Sequence, residues 1–159
     1  MRSKWWAAAM LAAGLAAAPA EAQMVSAKNP DSLIKALQGA GYAAKLDKDG
    51  SGDPMIVSAA GGHPFRVIFY GCTQNRDCAT IQFAAGYDKK SETSLASIND
   101  WNRTKRFGRA YLDAEGDPIL GMDVDLDDGG VSTALFIDNL QFWTSVKAAF
   151  EQHIGWGKE

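Results

Sequence analysis

Apolar residues along this chain keep two rhythms, and the rhythm changes wherever Gly, Pro and Asp gather. Behind Asn29-Pro30, the residues Leu33, Ile34, Leu37 and Ala40 recur at helical spacing. They predict a first helix capped by the Asn29 side chain and stopped by Gly41. Tyr42 to Leu46 and Met55 to Ala60 predict two strands either side of an Asp-, Gly- and Pro-rich loop. Phe65 to Tyr70 and Ala79 to Ala85 alternate more strictly and predict a hairpin. Leu95, Ile98 and Trp101, three apart behind several possible N-caps between Ser91 and Ser94, predict a second helix ended by Gly108. Arg109 to Asp113 and Ile119 to Leu126 predict another hairpin around Ala114-Glu115-Gly116. After Asp128-Gly129-Gly130 a third helix is expected from Ser132 to His153. Phe136, Leu140, Trp143, Val146, Phe150 and Ile154 would form its core stripe. The order αββββαββα, with short links between strands, predicts an α+β domain: an antiparallel β-sheet packed by helices.

Two registers follow from the pattern. If Cys72 stands opposite Cys78, then Phe69 meets Ile81, Val67 meets Phe83 and Phe65 meets Ala85, all on one face. Arg66, Ile68 and Tyr70 then meet Ala84, Gln82 and Thr80 on the other, with the cysteines. In the later hairpin a type I turn with Gly116 in the left-handed bulge position pairs Asp113 with Asp117. That register gathers Ala110, Leu112, Leu120, Met122, Val124 and Leu126 on the core face and leaves Arg109, Tyr111, Asp123 and Asp125 opposite.

The longest apolar run comes first. Arg2 and Lys4 precede an uncharged stretch from Trp5 to Ala18, and Ala20-Glu21-Ala22 has small residues at cleavage-site spacing. This is the layout of a signal peptide over residues 1–22, cut after Ala22. The run of about 14 residues falls short of the roughly 20 that a bilayer span needs. The expected product is periplasmic or secreted, with residues 23–28 as a flexible leader, residues 29–156 as one domain and no membrane span in the mature chain. The whole chain carries a net charge of −3, so it gains little from counterion release and no nucleic-acid partner is expected. Two cysteines six positions apart in an exported chain predict one disulfide, Cys72–Cys78. Closing so short a loop stabilises the fold by about 2.4 kcal/mol on chain-entropy arithmetic.

Candidate chemistry is sparse. Asp47, Asp49 and Asp53 sit in a run resembling half a calcium loop, but its twelfth position is Ser58, so they are weak metal candidates. The run from Asp123 to Asp128 fails the same test and reads as a strand with one wet face. Arg103, Lys105, Arg106 and Arg109 are the basic cluster; they either bind an acidic partner or complement the end of the second helix and the Asp123/Asp125 face. His63 and His153 stand in no nucleophile motif, and His153 reads as a solvent-facing or helix-end residue. Asn102-Arg103-Thr104 is a formal glycosylation sequon. Leu135, Ile137 and Phe142 put apolar groups on more than one side of the third helix. Either they pack under the leader or first helix, or they form a docking or dimer patch.

Several stretches resemble the YbjN domain family. Phe69-Tyr70-Gly71-Cys72, Cys78 and Ile81-Gln82-Phe83 are similar to one signature. Ile98-Asn99-Asp100-Trp101-Asn102, the run from Arg106 to Asp113 and Gly116-Asp117-Pro118 are similar to its most specific one. Met122 to Leu126, Gly129-Gly130-Val131 and the last helix continue the likeness across residues 29 to 154. The resemblance implies a bacterial sensory-transduction regulator with a fold similar to the small dimeric chaperones of type III secretion. It carries no catalytic residues to transfer. The signal peptide and paired cysteines set this chain apart from cytoplasmic members.

The expectation is a non-catalytic, exported interaction domain without cofactor, regulatory or envelope-stress related, contacting a protein partner or a second copy. Its surface would be built from Arg109, Tyr111, Leu135, Ile137 and Phe142. The alternative is a periplasmic binder of a small ligand or divalent cation.

Overall fold

The computed structural model describes residues 24–88 and 92–157. The expected signal peptide lies outside the described residues. In chain order the elements are β1 (Met24–Val25), α1 (Pro30–Gly39), β2 (Ala44–Lys48), β3 (Pro54–Ala60), β4 (His63–Tyr70) and β5 (Thr80–Gly86). They continue with α2 (Leu95–Thr104), β6 (Arg109–Leu112), β7 (Pro118–Asp125), β8 (Val131–Ser132) and α3 (Thr133–Ile154). The fold is α+β, as the pattern of the sequence predicts.

Six strands form one antiparallel sheet in the order β2-β3-β4-β5-β7-β6. Side chains alternate across it, so each strand has one set of residues to bury. The buried set is Ile56 on β3, Phe65, Val67 and Phe69 on β4, Ile81 and Phe83 on β5, and Leu120, Met122 and Val124 on β7. α3 lies on this face. Its Trp143 stacks on Phe83 at 5.8 Å and meets Phe65 at 5.9 Å, while Phe136 lies 6.0 Å from Phe83. α1 adds Leu33 and Leu37 to the same core. α2 packs beside β6 and reaches α3 through Trp101, 4.9 Å from Phe150.

Both expected registers are present. Phe69 pairs with Ile81, Val67 with Phe83 and Arg66 with Ala84, and the Cys72–Cys78 disulfide closes the ribbon end. Asp113 N–H donates to the Asp117 carbonyl at 3.0 Å, Gly116 has φ 89°, and Ala110 faces Leu120.

The departures have physical causes. Of the flexible leader expected over residues 23–28, the described residues 24–28 are instead tied down. Met24 and Val25 pair with Ser132 and Val131 as a two-stranded sheet, and Val25 and Ala27 are buried. Burial of Val25 and Ala27 outweighs the polar composition that suggested mobility. Asn29 makes no side-chain cap; Ser32 Oγ donates to the Asn29 carbonyl at 2.6 Å and accepts from Ser26 N–H at 3.1 Å, bracing the helix entry instead. α2 ends at Thr104 rather than at Gly108, and Leu95 lies outside the core because it is the first residue after the Ser94 cap. Ser94 and Ser132 do cap their helices, accepting from Ser97 and Leu135. On α3 the buried position is Lys147, while Val146 is half-buried.

Candidate functional site

Among the described residues, one face of the sheet carries the helices and the other, the bare face, carries no element. Four cross-strand rows build the bare face. The first runs Met55, Ile68, Gln82, Asp123; the second runs Val57, Arg66, Ala84, Gly121, Arg109. Tyr70, Thr80 and Asp125 form a row at one end, and Gly86, Ile119 and Tyr111 one towards the other. Alternation forces this composition: whatever β4 places between Phe65, Val67 and Phe69 must point away from the core.

Small residues hollow the middle of the face. The Gln82 side chain lies across Gly121, close enough that a Cβ there would come within 3.0 Å of its amide, and donates to Asp123 Oδ1 at 2.8 Å. Ile119 leans over Gly86 in the same way. The result is a groove with a cavity volume of about 530 Å³, walled by Tyr111 and Ile119 on one side and by Met55, Val57, Ile68 and Tyr70 on the other. Such a volume is in the range of ligand sites. Tyr70 and Tyr111 are 45% and 44% exposed, and the half-buried Ile68 and Ile119 lie with them along the groove. The Arg109 guanidinium lies 5.9 Å from the Tyr111 ring centroid. The Tyr70 hydroxyl holds its proton more tightly than usual, first through partial burial, then through Tyr111, Asp123 and Asp49, with Arg109 opposing.

The sequence-derived surface therefore splits. Arg109 and Tyr111 belong to the bare face, whereas Leu135, Ile137 and Phe142 belong to α3 in the helix layer. Leu135 and Phe142 are exposed, while Ile137 packs against the core beside α1. Residues left out of that expectation, above all Tyr70, Ile68 and Gln82, lie in the groove. The alternation that placed them on the wet face was the signal for them.

The acidic loop is braced by its own hydrogen bonds. Asp49 Oδ1 accepts from the N–H groups of Ser51 and Asp53, Asp47 Oδ1 accepts from Lys48 N–H, and Asp53 Oδ1 accepts from Asn75 Nδ2 at 2.8 Å. Among the described residues no group of three or more His, Cys, Asp or Glu side chains is placed to hold a metal ion. In the basic cluster Arg103 pairs with Asp100 at 2.6 Å. Asn102 is not free for a glycan: its Nδ2 donates to the Ala110 carbonyl and its Oδ1 accepts from Ala110 N–H, each at 2.9 Å.

The histidines sit in two polar clusters. His153 Nε2 lies 2.9 Å from the Ser97 carbonyl and 3.1 Å from Ser97 Oγ. Bonding to a carbonyl requires a proton on Nε2, so that nitrogen cannot take one from Ser97. His153 thus stands at the helix end against Trp101, 5.5 Å away, rather than facing solvent. His63 Nδ1 lies 3.1 Å from Glu151 Oε1, which also receives the buried Lys147 Nζ at 2.6 Å; Lys147 donates as well to the Ala60 carbonyl at 3.2 Å. This group ties α3 to the β3–β4 turn. Among the described residues the Tyr87 hydroxyl has no hydrogen-bond partner of good geometry, yet burial and then the nearby Glu151 carboxylate hold it strongly protonated.

Two comparisons with known proteins bear on this geometry. The family model YbjN, described as "Putative bacterial sensory transduction regulator", matches residues 29–156. No curated protein matches the chain.

Proposed function

The chain belongs to the YbjN family, and from that premise we propose that it is a non-catalytic regulatory domain, exported to the periplasm or beyond, that works by binding another protein. The working surface is the bare face of the sheet. One observation carries this reading: on the sheet face away from the helices, Tyr70 and Tyr111 are close to half exposed and Met55, Val57, Ile68 and Ile119 are only part-buried. Apolar surface left open at a groove is where a partner gains most from displacing water. A sensory or envelope-stress role fits a family of transduction regulators. The disulfide and the expected signal peptide support export, and no helix among the described residues is long and apolar enough to cross a membrane.

A photo-crosslinking amino acid at Tyr111 or Ile68, compared with one at Leu95 on the far layer, tests the assignment in producing cells. Crosslinks to a defined protein from the first two positions, and none from Leu95, are expected. Equal crosslinking from all three, or from Leu95 alone, overturns it. The groove's volume favours a second reading, in which a small organic ligand occupies the same face. Crosslinks to small molecules rather than to protein would select that reading.

A further inference from the structure

A second surface lies in the helix layer, where loop 105–108 crosses α3. Gly108 fixes it: its backbone is left-handed (φ 78°), its carbonyl accepts from Trp101 Nε1 at 2.8 Å, and any side chain there would collide with Val146. Only glycine permits that approach. The anchored loop lays Phe107 on Phe142 with ring centroids 4.9 Å apart, yet the two residues stay 39% and 44% exposed. Beside them opens a cavity of 200 Å³ walled by Trp101, Lys105, Arg106, Phe107, Val146 and Ala149. Two cations rim it. Lys105 Nζ lies 5.6 Å from the Trp101 ring and Arg106 Cζ 5.3 Å from the Phe107 ring, and neither has a carboxylate partner among the described residues.

The chemistry of a fitting partner follows from these parts. An open cavity between aromatic walls accepts one apolar side chain, and covering the rim takes Lys105 and Arg106 out of water. That desolvation is unfavourable unless the incoming surface supplies carboxylates. Two free cations are too few for a nucleic-acid backbone or an anionic membrane, which needs a cluster of roughly four to eight. We infer that this socket binds a segment of another protein carrying a large apolar side chain flanked by Asp or Glu. The inference does not rest on the bare face, which lies on the opposite side of the sheet.

Selection of displayed random peptides on the protein as recovered from producing cells tests it. Recovered binders should carry one large apolar residue bracketed by acids. Lys105→Glu with Arg106→Glu, and separately Phe142→Ser, should weaken them about tenfold or more, while Tyr111→Ser leaves them unchanged. Thermal melting of each variant separates lost binding from lost folding, and the Lys105/Arg106 pair, being exposed, keeps the test valid if Phe142→Ser unfolds. Binders indifferent to these variants, binders without acidic residues, or no binders at all overturn the inference. So does attachment to phosphatidylglycerol vesicles, or self-association that Phe142→Ser abolishes.

Discussion

Replacing Asn102 by Ala removes a side chain that stands in for a neighbouring strand. β6 is an edge strand, and its Ala110 turns both backbone groups outward to the Asn102 amide, at 2.9 Å each. Ala110 is buried, so water cannot readily replace the lost partners. Each unpaired backbone group costs about 1–3 kcal/mol, and two of them partly relieved by shifts of the edge strand come to about 3 kcal/mol. For a domain of this size that lowers the melting temperature by roughly 10 °C. Urea unfolding followed by tryptophan fluorescence measures it, with an unchanged m value showing that only the native state has lost energy. The companion change Asn102→Asp adds a sign. It keeps the acceptor for Ala110 N–H but sets a carboxylate oxygen against the Ala110 carbonyl, so the charged form is disfavoured in the fold. The carboxyl's folded pKa then lies above its unfolded value near 3.9. The extra destabilisation is therefore present at pH 7 and shrinks as pH falls through the folded pKa. A loss below about 0.5 kcal/mol for Asn102→Ala, within the usual range of a surface change, refutes this reasoning.

Lys147→Ala leaves the Glu151 carboxylate without its buried cation and the Ala60 carbonyl without a donor. It should cost about 3 kcal/mol or more in the same urea assay, whereas a solvated lysine would cost almost nothing. Tyr87→Phe removes a buried hydroxyl with no good partner and should be neutral or slightly stabilising at pH 7. Because the folded pKa of Tyr87 is raised above its ordinary 10.0, stability is intact below about pH 10 and falls as pH rises beyond it. Melting curves from pH 8 to 11 should show Tyr87→Phe flattening that fall. Reducing the Cys72–Cys78 bond should lower the melting temperature by roughly 8 °C, from about 2.4 kcal/mol of lost loop constraint. Intact mass after alkylation should find no free thiol in exported material and an N-terminus at Gln23.

The sheet was legible because β-strand alternation has a period of two and leaves no ambiguity over which face a residue takes. Phe65, Val67, Phe69, Ile81 and Phe83 could face inward only together, and the same reasoning put Arg66, Ile68, Tyr70 and Gln82 outward. Whether that outward face was bare or covered depended on where three helices settled, which is long-range packing that alternation does not encode. Lys147 shows a different limit. The spacing Phe136, Leu140, Trp143, Phe150, Ile154 points to position 147 between its neighbours, but hydrophobicity favours Val146. Glu151 and the Ala60 carbonyl, one turn away and across the fold, make a buried lysine affordable there. Asn102 was visible as a sequon and not as an edge cap, since its partner Ala110 is met only when α2 folds back on β6.

The bare sheet face is best tested by its footprint. Amide NMR spectra of the isotopically labelled chain, recorded before and after adding the purified crosslinked partner, should show shifts gathered at Val57, Ile68, Gln82, Tyr111 and Gly121, with the helix layer little changed. Shifts confined to α1 and α3, or chemical turnover of the added molecule, would contradict a binding domain that works through this face.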